Sequence, residues 1–332
     1  MIIDEYADDL SMLHSCILVN RNWCVVALQY LWAKPFTLLY SSPKRTIRRS
    51  TNLIAIFNEC FTDVDALENT SRVQKECSKK FPFDYRLYLK EIHLKEIHTL
   101  TRRTRFSWYD VPARITRLAI KYCPNLSTLS LTGQVFFLVD PSMFLVSIKS
   151  LPCLQNLSWY LELDNSIFST LSRAAHNLKS ISVEVSGVRT YNFEQELHNG
   201  LQKLIQAQHQ LKSFTIKKVI TKMRSVFELL ESQSNSLESI FLEYVDFNSD
   251  DSNIESIKFD QLTSISIKDC QVSIRGLKSI LKADLPKLQI LEFENTDWRR
   301  ESDWTSLRNK YQIIDFGNNR VFDQWGHIYS IS

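Results

Sequence analysis

Few residues of this chain have the types and spacing that catalysis or metal binding requires. The best candidates are His93 and His98, because Lys-Glu-Ile-His occurs twice, at 90–93 and 95–98. Their spacing of five does not match the HExxH zinc motif, and we interpret this duplication as a strand edge instead. The chain has six glycines and neither a GxG pair nor a GxSxG elbow, which excludes phosphate-cradling loops and a serine-hydrolase turn. We therefore expect no enzymatic activity, no cofactor and no metal.

The seven cysteines also give no sign of a metal or disulfide framework. Their number is odd, no two have CxxC spacing, and none lies near a His at zinc-finger spacing. Free buried thiols in a reducing compartment are the simplest interpretation. The acidic N-terminal segment does not resemble a signal peptide, and no apolar run reaches about 18 residues. We expect a cytoplasmic or nuclear protein that does not bind membranes.

Charge composition argues against a nucleic-acid partner. The chain has 40 basic and 37 acidic residues, a net charge of +3. Basic clusters occur at 44–49 and 102–105, and neither contains a run of aromatic residues. Solvent-exposed loops explain both clusters better than a nucleic-acid site. Binding through the 44–49 loop remains an alternative, and it would weaken steeply with salt.

The strongest pattern is an internal repeat. One phrase recurs seven times: an apolar residue, two others, an apolar residue, one other, and an apolar residue. The copies start 24 to 33 residues apart, close to the period of about 20–29 residues typical of leucine-rich repeats. Their first apolar positions are Leu126, Leu154, Leu178, Leu211, Leu237, Leu262 and Leu288. Each copy predicts a short strand, since its last two apolar residues are two apart and share a face.

Helical patterns come before several of these strands. Apolar residues recur at three and four in 115–126, 168–178, 201–211 and 275–288, and Pro124 and Pro286 should end the first and last of these helices. Each unit is thus predicted as helix, turn and strand. Stacked units give an α/β solenoid with parallel strands on the concave face and helices outside.

The strand alternation also predicts which side chains face away from the core. We expect partner-binding positions among them at Tyr160, Glu184, Lys217, Phe241, Glu243, Lys268 and Glu292. Tyr160 and Phe241 are the first candidates, because interface hot spots favour aromatic residues. The alternative is that both are isolated surface aromatics without a role.

The repeat resembles a known family. LAIKYCPNLSTLSL at 118–131 resembles the repeat of F-box leucine-rich-repeat proteins, and TSISIKDC at 263–270 resembles its cysteine-containing end. Most copies lack the Asn or Cys expected after the strand, so we expect irregular repeats. The stretch 243–259 contains no good helix pattern and should form a short, loop-like unit.

Residues 10–36 contain two helical patterns and resemble the second half of an F-box. The Val-Asn-Arg-x-Trp phrase at 19–23, followed by Leu31-Trp32, carries the resemblance. By this resemblance, the adaptor-binding residues are Leu10, Leu13, Cys16, Val19, Asn20, Trp23, Leu31 and Trp32. The Leu-Pro opening of an F-box is missing, and only four apolar residues within 2–7 could belong to its first helix. Alternatively, Trp23 and Trp32 only cover the end of the solenoid.

Together these patterns predict three segments: an all-α F-box-like segment at 1–40, linker and capping helices at 41–84, and the solenoid with a C-terminal cap at 85–332. The alternating apolar residues within 81–94 predict a capping strand that begins the solenoid, and the C-terminal cap should contain a short helix to residue 311 and a strand at 313–316. The resemblance implies a substrate-recognition subunit of a Skp–cullin–F-box ubiquitin ligase. A Skp-family adaptor would join it to a cullin, and the repeats would hold a protein substrate. The alternative is a repeat scaffold with a degenerate F-box and no role in ubiquitination.

Overall fold

The structure is a computed structural model that describes residues 9–42, 47–67, 83–102, 110–131, 151–161, 166–185, 191–218, 223–245, 258–270, 284–294, 312–315, 320–322 and 328–330. It is an α/β protein. The chain forms two compact units, 1–156 and 157–332. The boundaries predicted at 40 and 84 both fall within the first unit and stay predictions.

The first unit begins with four helices: α1 (Leu10–Ile17), α2 (Arg21–Ala33), α3 (Pro35–Ser41) and α4 (Ile47–Leu67). The Asp9 side chain accepts hydrogen bonds from the first backbone N–H groups of α1, and Asn20 accepts one from Trp23 N–H at 3.0 Å. Pro35 starts α3, where its missing N–H costs nothing. The two helical patterns predicted within 10–36 are confirmed.

The remaining described residues of the first unit combine helices with two strands. A 3₁₀ turn (Tyr85–Leu87) precedes β1 (Glu91–His93), α5 (Leu94–Thr101), α6 (Asp110–Tyr122) and β2 (Thr128–Leu131). β1 and β2 pair in parallel, with Glu91 opposite Thr128. The long capping strand predicted within 81–94 is wrong in extent. Only three residues are extended, because Leu94 already starts the amphipathic helix α5.

The second unit contains most of the strands. β3 (Asn156–Leu161), β4 (Ser180–Val185), β5 (Ser213–Lys217), β6 (Ser239–Glu243), β7 (Ser264–Lys268), β8 (Ile290–Glu294), β9 (Gln312–Asp315), β10 (Arg320–Phe322) and β11 (Ile328–Ser330) follow one another in chain order. Pairing from β4 through β9 is parallel, whereas β9, β10 and β11 pair in antiparallel fashion. All seven repeat copies therefore form strands, as predicted.

In the segments of this unit that the structure describes, helices precede three of these strands: α7 (Ser166–Ala174), α8 (Tyr191–Gln206) and α9 (Met223–Leu230), the last followed by a 3₁₀ turn (Glu231–Gln233). The helices predicted at 115–126, 168–178 and 201–211 are confirmed in α6, α7 and α8. Residues 246–257 and 271–283 lie outside the described residues, so the loop-like unit and most of the last predicted helix stay predictions.

The same backbone hydrogen bonds recur from one helix–strand repeat to the next. At the strand starts, one carbonyl accepts from two consecutive N–H groups of the next strand. Lys179 accepts in this way from Lys212 and Ser213, and Lys212 does so from Glu238 and Ser239. At the ends of β5, β6 and β7, the next residue has positive φ. These three residues are Lys218, Tyr244 and Asp269, and each donates its N–H to the last residue of the following strand.

The core follows the strand alternation in β4–β8. One face of these strands carries eleven buried side chains: Ile181, Val183, Val185, Phe214, Ile216, Ile240, Leu242, Ile265, Ile267, Leu291 and Phe293. Trp159 contacts Phe168 edge-on, and Phe227 contacts Phe259 in the same way, so helix and strand share one apolar layer. Across the described parts of the chain, we find no helix that is both long and apolar enough to cross a membrane.

Candidate functional site

The opposite side of β4–β8 is a half-buried polar surface, which we call the strand face. Parallel pairing places its side chains in three rows. The first row is Ser180, Ser213, Ser239, Ser264 and Ile290. The middle row is Ser182, Thr215, Phe241, Ser266 and Glu292. The last row is Glu184, Lys217, Glu243, Lys268 and Glu294.

The last row alternates in charge and is paired internally. Lys217 Nζ lies 3.1 Å from Glu243 Oε2, and Lys268 Nζ lies 2.8 Å from Glu294 Oε1. Glu184 is held instead by Lys218 of the adjoining turn, at 2.6 Å. The hydrogen bond to Glu294 raises the pKa of Lys268, and that to Glu184 raises the pKa of Lys218. These pairs fix the orientation of the charges more than they stabilise the fold.

The other two rows present small hydroxyl groups with two large apolar side chains, Phe241 and Ile290. Ser239 Oγ donates to Ser213 Oγ at 3.0 Å across the first row. Lys217 Nζ also lies 5.1 Å from the centroid of the Phe241 ring, a cation–π distance. Within the described residues, Glu292 is the one charged side chain of the strand face with no ionic partner.

Six of the seven predicted partner-binding residues lie on this face: Glu184, Lys217, Phe241, Glu243, Lys268 and Glu292. The prediction for Tyr160 is wrong in its placement. Its side chain is only 7% exposed, so it packs inside the protein and is not offered to a partner. Ser130, which the alternation also placed outward, is buried too. In β2 and β3 the surroundings bury both faces near the strand end.

The F-box-like helices present a second candidate surface. At the turn between α1 and α2, Leu18, Val19 and Trp23 are 73%, 63% and 36% exposed. We call these three residues the turn patch. Large apolar side chains grouped at one exposed turn mark a candidate interaction site.

The eight predicted adaptor-binding residues do not lie together on this surface. Val19, Asn20 and Trp23 are exposed, and Asn20 uses its side chain to cap α2. Leu10 and Leu31 are half-buried and line a groove of about 1050 Å³ among α1–α4. The other three residues, Leu13, Cys16 and Trp32, are buried, so their predicted contact with an adaptor is corrected.

The three buried residues pack into the first unit itself. Leu13 and Cys16 lie in a core with Ala27 and Leu38. Trp32 stacks on Tyr85, with ring centroids 4.2 Å apart. These side chains are therefore buried within the first unit, at 0%, 5% and 6% exposure, and do not form part of the turn patch. The residues of the first predicted F-box helix, 2–7, lie outside the described residues.

Sequence reasoning missed two buried glutamines. Gln208 Oε1 accepts from Leu178 N–H at 2.9 Å, and Gln233 Oε1 accepts from Leu211 N–H at 3.1 Å. Each amide nitrogen also donates to two backbone carbonyls. Their signal is weak but present: both precede the first leucine of a repeat copy by three or four residues.

Cys270 makes similar internal hydrogen bonds at the end of β7. Its sulfur accepts from Val245 N–H at 3.3 Å, and its thiol donates to Lys268 O at 3.0 Å. Burial raises the pKa of this thiol to about 11. The residue at the cysteine-containing end of the repeat is thus an internal hydrogen-bonding group and not a reactive thiol.

No catalytic or metal-binding arrangement emerges from the histidines and acids in the described ranges. No three His, Cys, Asp or Glu side chains gather there as a metal site. His93 Nε2 lies 3.6 Å from Glu91 Oε2 on β1, and His98 lies on α5. Burial, followed by the charge of Arg102, lowers the pKa of His98.

Comparison with known proteins gives no family assignment. No protein-family model matches the chain, and no curated protein matches it in sequence. The functional conclusion is therefore drawn from the strand face and the turn patch themselves.

Proposed function

We propose that this chain is a non-enzymatic protein-recognition subunit, and that it serves as the substrate receptor of a Skp–cullin–F-box ubiquitin ligase. The turn patch would dock on a Skp-family adaptor, which joins the chain to a cullin. The strand face would hold a protein substrate. Proximity to the ubiquitin-charged enzyme, and not chemistry on this chain, would then promote transfer.

The observation that carries this proposal is the exposure of the turn patch. Val19 and Trp23 belong to the Val-Asn-Arg-x-Trp phrase that resembles an F-box, and both are exposed although they are apolar. Asn20, in the same phrase, fixes the start of α2 and so orients Trp23. If these residues served only to pack the first unit, apolar side chains would not be needed at the exposed positions 19 and 23.

The regular second unit supports the recognition half of the proposal. Strands in chain order, parallel pairing from β4 to β9 and repeated turn hydrogen bonds are what stacked leucine-rich repeats require. We infer a solenoid of this type, with the strand face on its concave side. Such surfaces are extended and suit the binding of another protein.

The first test is co-expression with a Skp-family adaptor, followed by size-exclusion chromatography with light scattering. We expect a one-to-one complex that Val19→Arg and Trp23→Ala abolish. Leu87→Arg is the matched control, because Leu87 is an apolar residue of the same unit that is 50% exposed but lies outside the turn patch. Loss of the complex with both arginine variants would show that the turn patch is not the docking site.

A second candidate function is a repeat scaffold without a role in ubiquitination. The burial of Leu13, Cys16 and Trp32 favours it, since these residues serve the core of the chain's own first unit. A monomer that binds no adaptor at micromolar concentration would support the scaffold and contradict the ligase role. The proposal that the strand face binds a partner protein would be unaffected by this result.

A further inference from the structure

The strand register and the sizes of the side chains predict a depression along β7 on the strand face. Its floor is Ser264 and Ser266, whose side chains are short, and its walls are Phe241 on β6 and Ile290 and Glu292 on β8. Neighbouring strands are about 4.8 Å apart, so Phe241 and Glu292 face each other across about 10 Å. The Lys268–Glu294 ion pair closes one end. We call this depression the β7 trough.

Within the described residues, the β7 trough is lined by apolar side chains along its sides and by one unpaired negative charge, that of Glu292. Phe241 and Ile290 are the only large apolar side chains among the fifteen of the strand face. Each ammonium group of the strand face and its adjoining turn already has a carboxylate partner: Lys217 has Glu243, Lys218 has Glu184, and Lys268 has Glu294. Among the side chains that the structure describes, none pairs with the charge of Glu292.

This arrangement selects against an anion. An incoming carboxylate or phosphate would meet Glu292 directly and would have to break an existing ion pair to reach an ammonium group. A cation meets the opposite situation, since no described cationic side chain competes for the Glu292 carboxylate. A long methylene stem between Phe241 and Ile290 would bury apolar surface on both sides.

We propose that the β7 trough receives a lysine or arginine side chain from an extended segment of the partner protein. The stem lies between Phe241 and Ile290, and the cationic head binds the Glu292 carboxylate. This inference rests on the proposed use of the strand face for protein recognition. It names the chemistry of that partner: a linear segment with one basic residue among small neighbours.

The probe is a random linear peptide library displayed on phage and selected on the full-length chain. We expect peptides enriched in Arg or Lys at one position. The best of them is then synthesised with arginine and with citrulline, its neutral analogue, and binding is measured by fluorescence anisotropy. Glu292→Gln should weaken the arginine peptide about tenfold, as expected for loss of a charged hydrogen-bonded pair.

A double-mutant cycle identifies the contact. If Arg binds Glu292, citrulline should cost little further affinity on the Glu292→Gln variant. Glu231→Gln is the control, because Glu231 is an exposed acid in the turn after α9 and lies outside the strand face. Equal citrulline effects on wild type and on Glu292→Gln, or selected peptides without a basic position, would overturn the inference.

Phe241→Ser separates this inference from the function on which it rests. If Phe241→Ser abolishes binding and Glu292→Gln has no effect, recognition by the strand face would be supported. The proposed pocket for a basic side chain would then be wrong. Binding that neither change affects would place the peptide elsewhere and contradict both the pocket and the strand face. Circular dichroism of each variant confirms that these surface changes leave the fold intact.

Discussion

Gln208 and Gln233 occupy equivalent places in consecutive units, and each satisfies backbone groups of the unit before it. Both are almost fully buried, and buried polar groups are costly unless they are hydrogen-bonded. Gln233 bonds to Leu211, Ile205 and Gln208, which ties the end of α8 to the start of β5. These amides thus link each repeat copy to the copy before it through backbone hydrogen bonds.

Removing one of these amides should therefore be costly. We expect Gln233→Ala to lower the free energy of unfolding by about 1–3 kcal/mol, because it leaves buried backbone groups unsatisfied. Urea denaturation followed by circular dichroism measures this. Gln206→Ala, at an exposed position near the end of α8, is the control and should change stability by less than about 0.5 kcal/mol. Equal losses of unfolding free energy for the two variants would show that the buried hydrogen bonds of Gln233 do not stabilise the fold.

The thiol of Cys270 makes stability depend on alkaline pH. Burial raises its folded pKa from 9.0 to about 11, so its neutral form stabilises the fold fully below pH 9. Above pH 9 the thiol ionises first in the unfolded chain, and this contribution is lost as pH rises towards 11. We expect the difference in urea midpoint between wild type and Cys270→Ala to shrink over that range. A constant difference from pH 7 to 11 would contradict the raised pKa.

At the level of secondary-structure elements, the strands were easier to predict from the sequence than the segments that pack against them. In β4–β8 the two-residue alternation is local, so the sequence predicted the buried and half-buried faces correctly. The partner-binding role of the six candidates on the half-buried face stays a prediction. Tyr160 and Ser130 were placed wrongly because their burial depends on what lies over the strand, which no alternation encodes. Gln208 and Gln233 were missed because glutamine at a helix end normally faces water.

The turns after β5, β6 and β7 each contain a residue with positive φ. Tyr244 has φ 55°, where a side chain beyond glycine costs about 1–2 kcal/mol. We expect Tyr244→Gly to raise the thermal midpoint, because it removes this cost, while Tyr244→Ala retains a Cβ and should not. Calorimetry on both variants makes the comparison. A midpoint that rises equally for both would place the cause in the exposed ring instead.

At the scale of the whole molecule, the sequence predicted the order of strands but not how the chain ends. The predicted strand at 313–316 is present as β9, whereas β10 and β11 reverse direction and were not predicted. Their residues carry no copy of the repeat phrase, so nothing in the periodicity indicated them. The helix predicted before residue 311 lies outside the described residues.

In the solenoid that we propose, damage to one repeat should reach only the neighbouring repeats. We expect Leu291→Ala in β8 to cost about 2–5 kcal/mol as a core truncation, with Glu292→Ala within about ±0.5 kcal/mol. Hydrogen exchange with mass spectrometry should show faster exchange in β7–β9 and unchanged exchange in α1–α3. Faster exchange throughout the chain would indicate a single cooperative fold.

The glutamine contacts also constrain how such a chain can change its length during evolution. Gln208 and Gln233 are 25 residues apart, and each bonds to the unit before it. Duplicating or deleting one whole unit carries its glutamine along and restores every contact. Gaining or losing one residue between a glutamine and the strand that follows it shifts the amide relative to that strand and turns the strand's apolar residues outward. Variation in length should therefore occur in whole units, or in the loops that follow the strands.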